Sequence, residues 1–296
     1  MPTGQDLLRL AHQLQPRDQV IAALLVEHRV LTTSQLAGVL FGSLSAARTR
    51  LYRLRARHWV VSFTPVRPGG RVETLWVAGP VAARYVAAQD GIPPPTPRAW
   101  RDRAEAIAAS AHLTHTVGAN QVFVDLLAHA RTHPGARLAR WWGPVRAAAA
   151  TGQRVHPDGH GVWTEGGCQV GFWLEYDTGT EPLHRLVAKI DPYARLRRIG
   201  GPDYPVLFHL PNKTREANLH RLLAEREDRL LTTVATTTPA TVGGTEAGLA
   251  GPVWLTGADD ERQRLIDLPG TPGRPGPYHP GPPTLDQDPL RLLGFG

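Results

Sequence analysis

Between Arg154 and Tyr193 the chain carries Asp158, Glu175, Asp177, Glu181 and Lys189. Carboxylates and an amine gathered in one stretch suit a hard divalent cation held through oxygen, with a water or a phosphate beside it. Gly166-Gly167 lies midway between Asp158 and Glu175 and fits a two-residue hairpin connection, whose central residues need positive φ. With that turn, Trp163 faces Val170, His160 faces Trp173, and Asp158 faces Glu175. Opposed residues on neighbouring strands have Cβ atoms about 5 Å apart, so the two acids either share a cation or need a basic group to offset their repulsion. Asp158 and Glu175 are the candidate metal ligands. His156, Asp158 and His160 alternate onto one strand face, which leaves open a transition-metal site or a DNA-facing row. A buried charged pair satisfied by Arg185 or Arg195 is the alternative without chemistry.

Lys189 is the candidate amine. Thr180 reads as a helix cap with Pro182 in the first turn, and Leu183, Leu186, Val187 and Ile190 recur at helical spacing. The helix follows directly on the strand that carries Glu175, and Pro192 is expected to end or kink it. Lysine is rare here: Lys189 and Lys213 stand against thirty-one arginines.

Pro157-Asp158, then Glu175-Tyr176-Asp177-x-Gly179-x-Glu181, then Lys189 and Tyr193, resemble the PD-(D/E)xK nuclease core as it occurs in the replication-relaxation family of mobile elements in actinobacteria and other Gram-positive bacteria. The resemblance spans roughly residues 15 to 260. It implies a restriction-endonuclease-like α/β domain with a mixed central sheet, in which Asp158 and Glu175 hold Mg²⁺ (or Mn²⁺) and Lys189 orients or activates the attacking water. It also implies double-stranded DNA as substrate, with other replication or transfer proteins as partners. The sequence departs from the pattern at Asp177, which occupies the usual lysine position, so activity depends on Lys189 reaching in from the helix. Tyr176 and Tyr193 would be the nucleophiles of a covalent relaxase, and nothing in the pattern positions either.

The elements that must present this stretch follow from the rest of the chain. A length of 296 residues suits two domains, and a single cysteine, Cys168, excludes an internal disulfide and a cysteine zinc cluster. With no leader pattern and no apolar run of about 18 residues, the expectation is a cytoplasmic protein off the membrane. The net charge is +7, and its excess is concentrated between residues 17 and 80, the footprint of a nucleic-acid module.

Pro16 to His28 repeats Val20, Ile21, Leu24 and Leu25 as a helix. A second helix runs from Ser34 to Leu40, and a third is capped by Ser43 or Ser45. In the third, Ala47, Leu51, Leu54 and His58 form one stripe and Arg50, Arg53 and Arg57 the next, flanked by Arg48 and Arg55. Val60 to Val66 and Arg71 to Ala78 alternate like strands about Pro68-Gly69-Gly70. Three helices and a basic hairpin are the order of a winged helix-turn-helix, whose third helix enters the major groove. Arg48, Arg50, Arg53, Arg55, Arg57 and Arg71 are therefore the candidate DNA contacts.

Val81 to Gln89 reads as a short helix and Asp90 to Pro97 as a break. Trp100 to His129 is helical and is expected to pack on a sheet. His112 and His115 lie on it without a carboxylate cluster and read as ordinary surface or core histidines. Leu138 to Trp142 is a strand. Tyr204 to Leu210 fits a buried central strand, followed by a helix from Asn212 whose Lys213 and Arg215 could touch phosphate. Thr232 to Gly251 reads as a loose connection, Pro252 to Thr256 as a last strand, and Gly270 to Pro283 as disordered. The final Leu290-Arg291-Leu292-Leu293 is a docking peptide or nothing.

The fold class is thus mixed α/β. A winged helix-turn-helix spans 1–89, a Pro-rich linker 90–99, a nuclease-like domain 100–262 and a Gly/Pro-rich tail 263–296. The function expected is that of a DNA-binding protein in plasmid replication or conjugative transfer, acting as a metal-dependent endonuclease or nickase; a dimer is compatible with it. Asp177, Tyr193, His156 and His160 are accessory candidates. The alternative is a non-catalytic DNA-binding accessory factor or a transcription regulator on a degenerate nuclease-like scaffold.

Overall fold

The computed structural model describes residues 14–65, 73–226, 232–257 and 261–288. Its fold class is mixed α/β, with a small antiparallel sheet and a seven-stranded mixed sheet. The chain divides into two compact units, one built from the described residues up to Leu113 and the other from Thr114–Asp288. Among the described residues no helix is long and apolar enough to cross a membrane.

In the first unit, helix α1 (Pro16–His28) opens on a reciprocal cap between Gln15 and Asp18 and buries Val20, Ile21, Leu24 and Leu25. The short strand β1 (Leu31–Thr32) leads into α2 (Thr33–Leu40), where Thr32 and Gln35 cap each other. Helix α3 (Leu44–Ala56) is capped by Ser43 and buries Ala47, Leu51 and Leu54. His58 falls outside the expected stripe: it is exposed, at φ 54°, where the chain turns out of the helix. Strands β2 (Val60–Phe63) and β3 (Leu75–Ala78) pair from Val60 with Ala78 to Phe63 with Leu75, and β1 adds to β3. The Pro68-Gly69-Gly70 turn and Arg71 lie outside the described residues, as does the Leu290–Leu293 segment. Helices α4 (Pro80–Gln89) and α5 (Pro97–Ala108) complete the unit. The helical segment expected from Trp100 to His129 is therefore two helices. The first of them goes with this unit, where the Trp100 indole donates to the Ala78 carbonyl at 3.0 Å.

The second unit is organised on the sheet. Helix α6 (Leu113–Ala130) precedes β4 (Ala136–Trp142), α7 (Pro144–Ala150), β5 (Gly159–Glu165) and β6 (Cys168–Tyr176). Gly166 and Gly167 have φ of 58° and 84°, the turn that two glycines permit. The register is the expected one, Trp163 opposite Val170 and His160 opposite Trp173, with the ladder ending at Gly159 and Leu174. After α8 (Leu183–Ala188) and α9 (Ile190–Arg198) come β7 (Val206–His209), α10 (Lys213–Ala224) and β8 (Val234–Thr237). β6, β7 and β8 are parallel neighbours, and parallel strands require the crossover helices that sit between them in sequence. The turn α11 (Pro239–Val242) and the short strands β9 (Trp254–Leu255) and β10 (Arg262–Gln263) finish the sheet, in the order β10-β9-β8-β7-β6-β5-β4.

One sheet face carries Trp173, Val206 and Phe208 against Leu186, Ile190, Tyr193, Leu196 and Leu219. The other meets α6, whose Phe123 stacks on Trp141 and Phe172.

Two expectations are corrected in this unit. The Thr-rich stretch is not a loose connection at its start: β8 is fully buried beside β7. Threonine's branched Cβ suits a strand, and the buried Thr236 hydroxyl donates to Glu216 at 2.7 Å. Residues 270–283 are not free of structure either. Buried Arg140 donates to the Gly281 and Pro282 carbonyls at 3.0 and 2.8 Å, and to Gln287 Oε1 at 2.7 Å. A buried guanidinium needs acceptors, and this segment supplies them.

A second arginine is used internally in the first unit. Arg50 of α3 pairs with Asp18, which is fully buried, Nε lying 2.9 Å from Oδ1. Removing one partner of a buried pair typically costs about 3 kcal/mol or more. Arg50→Ala is thus expected to destabilise the protein by about 3 kcal/mol, and adding Asp18→Asn should recover part of that loss. Urea denaturation of the double-mutant cycle measures the coupling; strictly additive losses would contradict it.

Candidate functional site

Asp158 and Glu175 both lie close to the end of the β5–β6 ladder, Asp158 just before β5 and Glu175 within β6. The last pair of that ladder is Gly159 with Leu174, and the Asp158 amide donates to the Leu174 carbonyl at 2.9 Å. Its carboxylate turns back to accept from the Tyr176 amide at 2.8 Å. Glu175 projects to the face that bears α8 and α9, and is almost wholly buried.

Two groups meet Glu175 there. Lys189 Nζ lies 3.3 Å from its Oε2 and 3.2 Å from Glu181 Oε2, and the Tyr193 hydroxyl donates to its Oε1 at 2.6 Å. Lys189 reaches this position because the helix breaks at it: α8 ends at Ala188 and α9 starts at Ile190, with Lys189 shared as cap. Pro192 in the first turn of α9 accounts for the break, because proline can neither donate to the preceding turn nor fit against it. The start of α8 differs from expectation. Pro182 holds the cap position and no side chain caps the helix, while Thr180 contacts Thr178 instead.

Burial raises the Glu175 carboxyl above its usual range, and the like charge of Asp158 adds to this against Lys189 and Tyr193. Burial acts to lower the Lys189 amine, but the charges of Glu175, Asp158 and Glu181 outweigh it and hold the amine above its ordinary value. The Tyr193 phenol is pushed well up by burial and then by Glu175.

His115 of α6, expected to be an ordinary surface or core histidine without a carboxylate partner, instead meets Asp158. Its Nε2 lies 3.1 Å from Asp158 Oδ2, and that hydrogen bond raises the imidazole above its ordinary value despite burial. The ring meets Tyr176 edge-on. Gly118, one turn further along α6, lets Tyr176 approach, since a Cβ there would lie 2.3 Å from the phenol ring. No spacing links His115 to Asp158; only the packing of α6 on the sheet does.

The accessory candidates separate. Asp177 is buried and paired with Arg215, whose guanidinium also donates to the Glu181 carbonyl. Arg215 is therefore not a phosphate contact, and Asp177 does not face the Lys189 amine. His160 is fully buried, with Nδ1 2.8 Å from the Phe172 carbonyl and the ring stacked on Tyr204. Burial and then the Arg140 charge lower it to about 3, so it is a neutral core group. His156 precedes β5 and is exposed. The expected row of 156, 158 and 160 breaks because the strand begins only at Gly159.

Two carboxylates offering only oxygen suit a hard divalent cation that keeps most of its own water, the behaviour of Mg²⁺. Among the described residues no three His, Cys, Asp or Glu side chains gather to hold a metal, which disfavours a closed zinc-type site. Asp158 and Glu175 are the residues that could hold such an ion.

On the first unit, Arg48, Arg53 and Arg55 are exposed along α3 and Arg57 is partly buried at its end. Arg55 lies over the Tyr52 ring at 4.8 Å and donates to Ser62. Arg50 is absent from this face because Asp18 holds it.

Compared with known proteins, the chain matches the family described as replication-relaxation over residues 23–206, more than half of its length. No curated protein and no solved structure matches.

His209, at the end of β7, stacks on Tyr176 with ring centroids 5.2 Å apart, and burial lowers its imidazole to about 4. An unfolded histidine titrates near 6.5, so the unfolded chain takes up the proton first. The stability tied to neutral His209 is complete above that value and is lost as pH falls toward 4. His209→Phe keeps a stacked ring without the titration. It should flatten the pH dependence of the unfolding free energy in this window by up to about 1.4 kcal/mol per pH unit, measured by denaturant titration at several pH values.

Proposed function

The chain belongs to the replication-relaxation family, and from that premise we propose that it is a DNA-binding, divalent-metal-dependent endonuclease or nickase of a plasmid or mobile element. Family membership itself suggests the plasmid-replication setting. The observation that carries the catalytic reading is Lys189 lying 3.3 Å from Glu175, with the charge of Asp158 acting on both.

A divalent cation at Asp158 and Glu175 would lower the pKa of a bound water and offset charge at the phosphodiester. The protein's own groups do the rest. Lys189 presents an ammonium beside the acids, where it can orient a water or a phosphate oxygen. Tyr193 fixes one oxygen of Glu175 through its hydroxyl. His115 can hold or release a proton at Nε2, against the Asp158 carboxylate. The winged helix-turn-helix supplies the site choice, with α3 in the major groove and Arg48, Arg53, Arg55 and Arg57 forking onto base edges or phosphates.

A second reading, a non-catalytic DNA-binding accessory factor, is favoured by Asp177. It occupies the usual lysine position and is tied to Arg215.

Incubation of supercoiled DNA with the protein and Mg²⁺ or Mn²⁺ separates the two. Nicking is expected in wild type, reduced on the order of 10²-fold or more in Asp158→Ala and Lys189→Ala. DNA retained without cleavage under either metal would sink the catalytic reading and leave the accessory one. Arg48→Ala with Arg53→Ala should weaken duplex binding and reduce the slope of log K against log salt by about 1.8; unchanged affinity would remove α3 as the recognition helix.

A further inference from the structure

We propose that the cleft between the C-terminal end of α9 and the 274–278 segment binds the phosphodiester backbone of a nucleic-acid strand, independently of its sequence. The inference rests on the proposed action on DNA and adds a second contact surface, on the unit that holds the acid cluster.

The cleft has a volume of about 600 Å³, and Arg197, Arg198 and Arg274 line it together with Gly200 and Tyr278. No carboxylate is among its lining residues. Arg197 has a partner, Asp203 at 3.1 Å, but stays nearly half exposed. Arg198 and Arg274 are exposed and have no ion pair among the described residues. The two walls are fixed to one another: the Arg274 amide donates to the Gly200 carbonyl at 3.1 Å, and Asp203 pairs with Thr271. Tyr278 is held by Arg154, whose guanidinium lies 4.2 Å over the ring and donates to the hydroxyl at 2.9 Å. The phenol is thereby engaged, and what remains for a ligand is a fork of guanidinium groups. That chemistry matches phosphate oxygens and carries no base readout.

α9 carries Tyr193 on Glu175 at one end and Arg197 and Arg198 at the other, and Tyr193 to Arg197 is one helical turn, about 6 Å along the axis. The amphipathic helix buries Ile190, Tyr193 and Leu196 and turns Arg195, Arg197 and Arg198 outward.

The test measures binding of a fluorescent duplex oligonucleotide to the full chain by anisotropy across a salt series. Each neutralised phosphate contributes about 0.9 to the slope of log K against log salt. Arg198→Ala with Arg274→Ala should therefore lower the slope by about 1.8. The control, Arg146→Ala with Arg221→Ala, removes the same charge from exposed positions outside the cleft and should leave the slope as in wild type. An unchanged slope in the cleft variant, or an equal fall in the control, overturns the proposal. Asp158→Ala separates the two readings. If cleavage is absent throughout but the cleft variant still loses slope, the cleft stands and the catalytic reading fails. If Asp158→Ala abolishes cleavage and the cleft variant binds like wild type, only the cleft fails.

Discussion

Glu175 is an acid near the end of a strand with only 4% of its surface exposed, and it feels the like charge of Asp158. A buried carboxylate beside a like charge needs compensation, and the neighbourhood is built around supplying it. Lys189 stands between Glu175 and Glu181, Arg215 answers Asp177, and His115 answers Asp158. Four carboxylates are thus met by two permanent cations and one titratable imidazole. The break of the helix after β6, due to Pro192, is what leaves Lys189 at the junction facing Glu175 and Glu181.

The local part of this arrangement was legible before any coordinates. Gly166-Gly167 dictates the turn, and the turn dictates which residues oppose. The order of three helices before β2 and β3 follows from caps and apolar stripes, which are short-range signals. What escaped was long-range. His115 reaches Asp158 only because α6 crosses the sheet, and its own sequence neighbours say nothing of that. The expected row of His156, Asp158 and His160 fails because strand alternation does not extend past the first paired residue, Gly159. The Thr-rich β8 reads as a connection because threonine and alanine carry little hydrophobic signal, although the branched side chains suit a strand well.

Arginine was the least readable residue type. In a chain with thirty-one of them, spacing cannot tell a guanidinium that faces solvent from one that satisfies a buried acid. Arg50 lies on the same helix as Arg48 and Arg53, yet it is turned to Asp18. Arg262 is clasped by Glu216, and Arg215 by Asp177. The arginines left for other molecules can be sorted only once the buried carboxylates have been assigned.

Arg140 has an implication of a different kind, for how the chain is made. It sits on β4, the edge strand, but its acceptors are Gly281, Pro282 and Gln287, the last 147 residues further on. During translation the sheet can be laid down strand by strand, yet this guanidinium stays without its native acceptors until the closing segment emerges. At a synthesis rate of roughly 5 to 20 residues per second, that interval lasts on the order of ten seconds. Contacts of such sequence separation also slow folding. Until that segment has emerged, Arg140 lacks the acceptors that its burial in the finished sheet requires.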